Sequence, residues 1–129
     1  MIRISKKQKE LIESNILAFA TCDLGGKPNV IAVSFCRVVD KDKILVTDNF
    51  MNKTRKNLLE NNEVAISVWS NDGNEGYQFE GRANYLTSEK WKRIVDKDPN
   101  NKGLAHKAAV LLIVEEIWDL VNPRLLAKR

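Results

Sequence analysis

Hydrophobic residues in this chain come in strand-length groups separated by turn signals. Ile16–Cys22 is an apolar run that stops at Asp23-Leu-Gly-Gly-Lys27, where Gly25-Gly26 predicts a hairpin turn. A second strand is expected from about Asn29 to Val39, with Asp40-Lys-Asp42 as its turn, and Lys43–Thr47 returns as a third. Tight turns between these strands predict an antiparallel meander. The second strand does not alternate cleanly. One face carries Val30, Ala32, Ser34, Cys36 and Val38, and the other Ile31, Val33, Phe35, Arg37 and Val39. Both are mainly apolar, so one can fill a core while the other needs a cover, either a second subunit or a flat ligand. Of the two, Ile31, Val33 and Phe35 are taken as the set that needs covering.

Helical segments lie at the margins. Ser5 and Gln8 form a capping-box pattern ahead of a helix to about Glu13. Asn52 is the expected N-cap of a helix over Lys53–Asn62, and Thr87 or Ser88 that of a helix to Lys97 with Trp91, Ile94 and Val95 on one stripe. The remaining strands are expected at Glu63–Trp69, Tyr77–Leu86 and Ala109–Trp118, after which Asn122-Pro123 breaks the chain into a short basic tail. No repeat or linker divides residues 1–129, which read as a single domain. The class is mainly β with marginal helices. Barrel closure is expected because it removes sheet edges.

Composition narrows the function classes. At 43% hydrophobic and 29% charged residues, with 6 Gly and 3 Pro, the chain is an ordinary globule. Its longest apolar runs, Ile16–Ala20 and Ala108–Val114, are too short to span a membrane, and the basic start is not followed by a signal-peptide core. A cytoplasmic location without membrane association is the expectation. The 2 cysteines, Cys22 and Cys36, read as free buried thiols, and a single histidine, His106, argues against a metal site or a histidine-based catalytic machine. The net charge of +4 suits an anionic small ligand or, more weakly, nucleic acid. Nucleic acid is disfavoured: no aromatic RNA-binding pattern is present, and Trp69, Trp91 and Trp118 do not share a strand.

The strongest local chemistry is Asn52-Lys-Thr-Arg-Lys-Asn57, where a strand gives way to a helix. Free amides at a helix N-terminus, with a lysine and a hydroxyl in the first turn, make a phosphate site. The same residues can equally be a solvated face. Basic residues there oppose the helix dipole, at a cost of a few tenths of a kcal/mol each, so their presence suits a bound anion. Neither GxxxxGK[ST] nor GxGxxG occurs, which disfavours nucleotide hydrolases and Rossmann dehydrogenases. A phosphate attached to a flat apolar body is what remains, and flavin mononucleotide (FMN) fits that description.

Together, Pro28-Asn-Val-Ile-Ala-Val-Ser34, Ile44-Leu-Val-Thr-Asp48, Asn52–Asn62, Gly76–Ala83 and Leu112–Trp118 resemble the pyridoxamine 5′-phosphate oxidase-like family over about residues 8–120. The resemblance implies a six-stranded antiparallel split β-barrel that binds FMN in grooves at a homodimer interface. It implies the flavin ring against Ala32, Val33, Ser34, Val46 and Thr47, the phosphate on Lys53 and Thr54 with Asn57 nearby, and Trp118 as the residue that approaches the partner's flavin. The other reading of Trp118 is a core or interface tryptophan. A deazaflavin or haem in place of FMN is left open.

Two departures stand against vitamin B6 oxidation. The substrate-holding Arg-x-His segment of true pyridoxamine phosphate oxidases is not found, and Gly76 stands where an oxidase-type glutamine would fall. The expected function is a small FMN-dependent oxidoreductase that exchanges electrons with a small-molecule donor or acceptor, with no catalytic acid or base singled out. The alternative is a non-catalytic flavin carrier or electron-transfer protein.

Overall fold

Ser5 opens the first helix as expected. In the computed structural model, which describes residues 1–129, its hydroxyl accepts from the Gln8 N–H at 3.1 Å while the Gln8 side-chain oxygen accepts from the Ser5 N–H at 2.9 Å. Helix α1 (Lys6–Ser14) places Ile12 fully inside. Eight strands follow: β1 (Leu17–Cys22), β2 (Pro28–Val33), β3 (Arg37–Asp40), β4 (Lys43–Asp48), β5 (Glu63–Trp69), β6 (Gly76–Leu86), β7 (Ala108–Asp119) and β8 (Arg124–Lys128). Helix α2 (Lys53–Glu60) lies between β4 and β5, and α3 (Glu89–Lys97) between β6 and β7. No helix is long and apolar enough to cross a membrane.

All pairings are antiparallel, in the order β2-β1-β5-β6-β7-β4-β3. The two ends of that path, β2 and β3, are consecutive in the chain, so the sheet must curl until its edges are separated only by residues 34–36. That gap is the split in the barrel. Strand β7 holds β6 along one edge and shares the other, with β4 on residues 108–113 and β8 on residues 116–119. The interior is filled by alternate positions of the central strands, among them Leu17 and Phe19 of β1, Ile66 and Val68 of β5, and Phe79 of β6.

The strand count exceeds the expected six for two reasons. The single strand expected over 29–39 is broken at Phe35, whose φ of 59° is sterically costly for a bulky residue and cannot continue a pleat. The tail expected after Pro123 instead folds back as β8. The Asp119 carboxylate accepts from the Val121 and Asn122 N–H groups to make the turn, and the Arg129 guanidinium pairs with Asp42 and the Val114 carbonyl. Asn52 and Ser88 stand at the helix starts but make no side-chain cap bond.

The exposed face of β2 is the opposite of the one expected. Ala18 pairs with Ala32 and Ala20 with Val30, and cross-strand partners share a face. Because β1 turns Leu17 and Phe19 inward, their partners Val33 and Ile31 turn inward too. Val30, at 64% exposed, is left outside with Ala32 and Ser34. Helix α3 covers the outer face of β4 and β7, where Val95 packs with Leu45, Ala109 and Leu111. No element covers the outer face of β1 and β2, so Ile16, Val30 and Trp69 form an exposed apolar patch.

Arg37 of β3 clasps Asp98 at the end of α3 through two bonds of 3.0 and 3.2 Å. That guanidinium holds the Asp98 carboxyl below its ordinary value of 3.8 against the opposing effect of burial. For Asp42, burial pushes upward, but hydrogen bonds from Lys43 and Arg129 outweigh it and the net shift is also downward. A carboxylate whose pKa is depressed on folding stabilises the protein fully above its unfolded pKa, and this stabilisation is lost as pH falls through the folded value. The melting temperature should therefore drop below about pH 4. Asp98→Asn should lower stability at neutral pH and flatten part of that drop. An acid drop equally steep in wild type and Asp98→Asn would remove Asp98 from this account.

Candidate functional site

Strand β4 ends at Asp48, which is fully buried and organises the segment that follows. Its Oδ1 accepts from the Met51 N–H at 2.8 Å, and its Oδ2 accepts from the Tyr85 hydroxyl at 2.5 Å. Burial and the neighbouring Asp48 carboxylate push the Tyr85 phenol up to about 12, so it stays a donor. Arg55 lies over the Tyr85 ring, 5.8 Å from its centroid. The Lys107 N–H donates to the Asp48 carbonyl at 2.7 Å, and the His106 N–H donates to Asn49 Oδ1 at the same distance. These bonds fix both the 49–52 loop and the distant 104–107 segment beside the start of α2.

Between the end of β2, the end of β4 and the first turn of α2 lies a groove of about 610 Å³, a volume typical of small-ligand sites. Ile31, Ala32 and Val33 of β2, with Ser34 just beyond it, form one wall, with Thr47 of β4 nearby. Phe35, Phe50, Met51 and Leu104 add apolar surface. Lys53 and Thr54 close the end at α2, beside Asn29 and Asn52. The groove is thus apolar along its body and basic at one end.

That basic end has the makings of an anion site. Helix α2 has no side-chain cap and no acidic residue in its first turn. Its first intrahelical bond runs from the Lys56 N–H to the Asn52 carbonyl at 3.1 Å, so the preceding amides have no helical acceptor. Thr54 is only 1% exposed, and its hydroxyl accepts from the Asn29 amide at 3.0 Å, which leaves its own hydrogen to donate. By contrast, α1 is closed by a full capping box.

The structure brings Ala32, Val33, Ser34, Thr47, Lys53 and Thr54 together in this one groove. It places the other expected residues elsewhere. Val46 is fully buried with its side chain among the core residues. Asn57 donates to the Thr21 hydroxyl at 3.0 Å and lines a separate cleft with Lys27, Lys53 and Lys56. Trp118 lies on β7, outside the groove, and its indole N–H donates to Glu116 at 2.9 Å. Sequence reasoning missed Asn29, which could have been found because it shares a face with Ile31 and Val33. It also missed Leu104, for which no local signal exists: the Asn49–His106 bond brings that segment in from far along the chain. Cys36 is fully buried, and burial pushes its thiol up to about 12, so it is an inert core residue.

The fold is a split antiparallel barrel with an apolar groove that ends at a basic, uncapped helix start. More particularly, the chain belongs to the pyridoxamine 5′-phosphate oxidase family, whose sequence profile matches residues 4–120. An uncharacterised protein of Methanocaldococcus jannaschii is 33% identical over 124 residues, which span 93% of this chain and 83% of that one. Among solved structures, HupZ of Group A Streptococcus superposes with a TM-score of 0.89 at 25% identity, over 96% of this chain and 99% of that one. An FMN-binding protein of Syntrophomonas wolfei gives 0.74 at 19% identity, over 92% of this chain and 85% of the other. The haem storage protein HutZ of Vibrio cholerae gives 0.68 at 17% identity, over 92% and 93% of the two chains.

Proposed function

We propose that this protein binds FMN in the groove and works as a small FMN-dependent oxidoreductase. The observation that carries the reading is the uncapped first turn of α2, with Lys53 and Thr54, at the end of an apolar groove in a chain of this family. The first-turn amides, the Lys53 ammonium and the Thr54 hydroxyl would hold the phosphate, and Ala32, Val33, Ser34 and Thr47 would pack against the ring. Bound FMN would supply the hydride or electron chemistry. The polypeptide's part is to bind the phosphate, orient the ring and keep water from one face. A non-catalytic flavin carrier is separated from this reading by mixing the FMN-loaded protein with NADH or NADPH. Bleaching of the flavin absorbance over repeated turnovers supports the enzyme, and a flavin that neither donor reduces supports the carrier.

Haem is the second reading, favoured by the shared fold with HutZ. The single histidine, His106, sits on the segment that flanks the groove, with its ring 2.7 Å from Asp96. The visible spectrum of the freshly purified protein separates the two. Paired flavin bands are expected, and a Soret band would overturn the FMN assignment.

The groove is proposed to lie at a homodimer interface. Val30 at 64% exposed, Ile16 at 68% and Trp69 at 52% line a depression on the uncovered face of β1 and β2 that shares Ile31 and Ala32 with the groove, a patch of the kind that marks an interaction site. In such a dimer Trp118 could meet a flavin only across the interface, since it lies outside its own protomer's groove. FMN would then bind the dimer rather than the separated chain, and adding it would raise apparent stability by mass action. Sedimentation equilibrium should give twice the chain mass at micromolar concentration, and FMN should raise the melting temperature. Val30→Glu should shift the protein toward monomer and weaken FMN binding together. A folded monomer, or a melting temperature indifferent to FMN, would contradict the shared site.

A further inference from the structure

Behind the groove, Thr47 and Asn101 form a hydrogen-bonded pair. Asn101 ends a 3-10 turn, Pro99–Asn101, that follows α3, and is only 2% exposed. Its amide nitrogen donates to the Val95 carbonyl at 2.9 Å and to the Thr47 hydroxyl oxygen at 3.0 Å. These two bonds fix the orientation of the amide. Turned over, its oxygen would face the Val95 carbonyl, acceptor against acceptor. In the orientation observed, Asn101 Oδ1 is the one buried side-chain polar atom without a partner in the protein.

A buried acceptor left unpaired carries a penalty, so the site holds this amide for what its N–H groups do. One N–H secures the end of α3. The other occupies one lone pair of the Thr47 hydroxyl and turns its hydrogen away from Asn101, free to donate. No protein acceptor takes the hydrogen of that hydroxyl, and Thr47 lines the groove while Asn101 does not. We infer that Asn101 is a positioning residue that makes Thr47 a fixed hydrogen-bond donor to an acceptor atom, a ring carbonyl oxygen or an unprotonated ring nitrogen, of the planar heterocycle bound there. This rests on the flavin reading and goes beyond it by setting the direction of a hydrogen bond.

The test is a double-mutant cycle on the full-length protein, with FMN and riboflavin affinities read by fluorescence quenching. Thr47→Val and Asn101→Ala should each weaken FMN binding roughly tenfold. The double variant should be no weaker than Thr47→Val, because Asn101 acts only through the hydroxyl. Thr47→Ser should keep wild-type affinity, and the ratio of FMN to riboflavin affinity should be unchanged throughout, since the phosphate end is untouched. Where Asn101→Ala does not fold, Asn101→Ser takes its place, and FMN binding should fall as in Asn101→Ala, since the shorter side chain loses the bond to Thr47. Wild-type affinity in the Asn101 variant, no loss in Thr47→Val, or losses that multiply in the double variant would each overturn the inference while leaving FMN binding intact. A wild-type protein that binds no flavin would instead fail the functional reading and this inference with it.

Discussion

Replacing Gly81 by alanine is expected to destabilise the protein by about 3 kcal/mol or more, the upper range for overpacking. A Cβ at this position would stand 1.9 Å from the Ile113 carbonyl oxygen, 2.9 Å from its carbon and 3.2 Å from Val114 Cα. All three are backbone atoms, so no side chain can rotate out of the way. The contact belongs to the β6–β7 ladder, where the register shifts between Glu80 and Gly81, and relieving it would pull apart the sheet's longest pairing. Urea unfolding should show a much lower midpoint or no cooperative transition. Gly25→Ala is the control: its Cβ would meet only the Asp23 carboxylate at 3.4 Å, and stability should change by less than about 0.5 kcal/mol. A wild-type midpoint in Gly81→Ala would show that the bulge is not packed as described.

Lys53→Ala is expected to weaken FMN binding ten- to a hundredfold. It removes a charge-assisted hydrogen bond, worth about 1.5–3 kcal/mol. Riboflavin, which lacks the phosphate, should bind both proteins alike. The stability of the apoprotein should move the other way. Lys53 is the first residue of α2, where a positive charge opposes the helix dipole, so its removal should leave the melting temperature unchanged or slightly higher. Lost FMN affinity without lost stability is the signature of a ligand residue. Equal losses for FMN and riboflavin would mean that Lys53 supports the fold of the groove rather than a phosphate.

Much of this fold could be read locally. The Ser5–Gln8 capping box, the Gly25-Gly26 turn and the strand-length segments of β1 and β5 are short-range signals, and each appears where expected. The failures lie where a local pattern is overridden by distant partners. An apolar stretch from Asn29 to Val39 reads as one strand, yet the two halves join opposite ends of the sheet, and Phe35 takes the left-handed conformation that lets them part. Which face of β2 is exposed depends on its register with β1, and periodicity alone does not supply a register. The tail becomes β8 because Asp119 makes the turn and Asp42 anchors Arg129, contacts invisible to a composition argument. In the site, Lys53 and Thr54 were legible because a helix start is a local event. Asn101 was not: its amide reaches Thr47 only once α3 has folded over the sheet.

We propose that the α2 end of the groove holds a phosphate. The most direct test compares the affinity of the wild-type protein for FMN and for riboflavin, titrated under the same conditions. FMN is expected to bind at least tenfold more tightly, the effect of the phosphate's charge-assisted bonds to Lys53 and the first turn of α2. Equal affinity for the two, or no binding of either, would contradict the account.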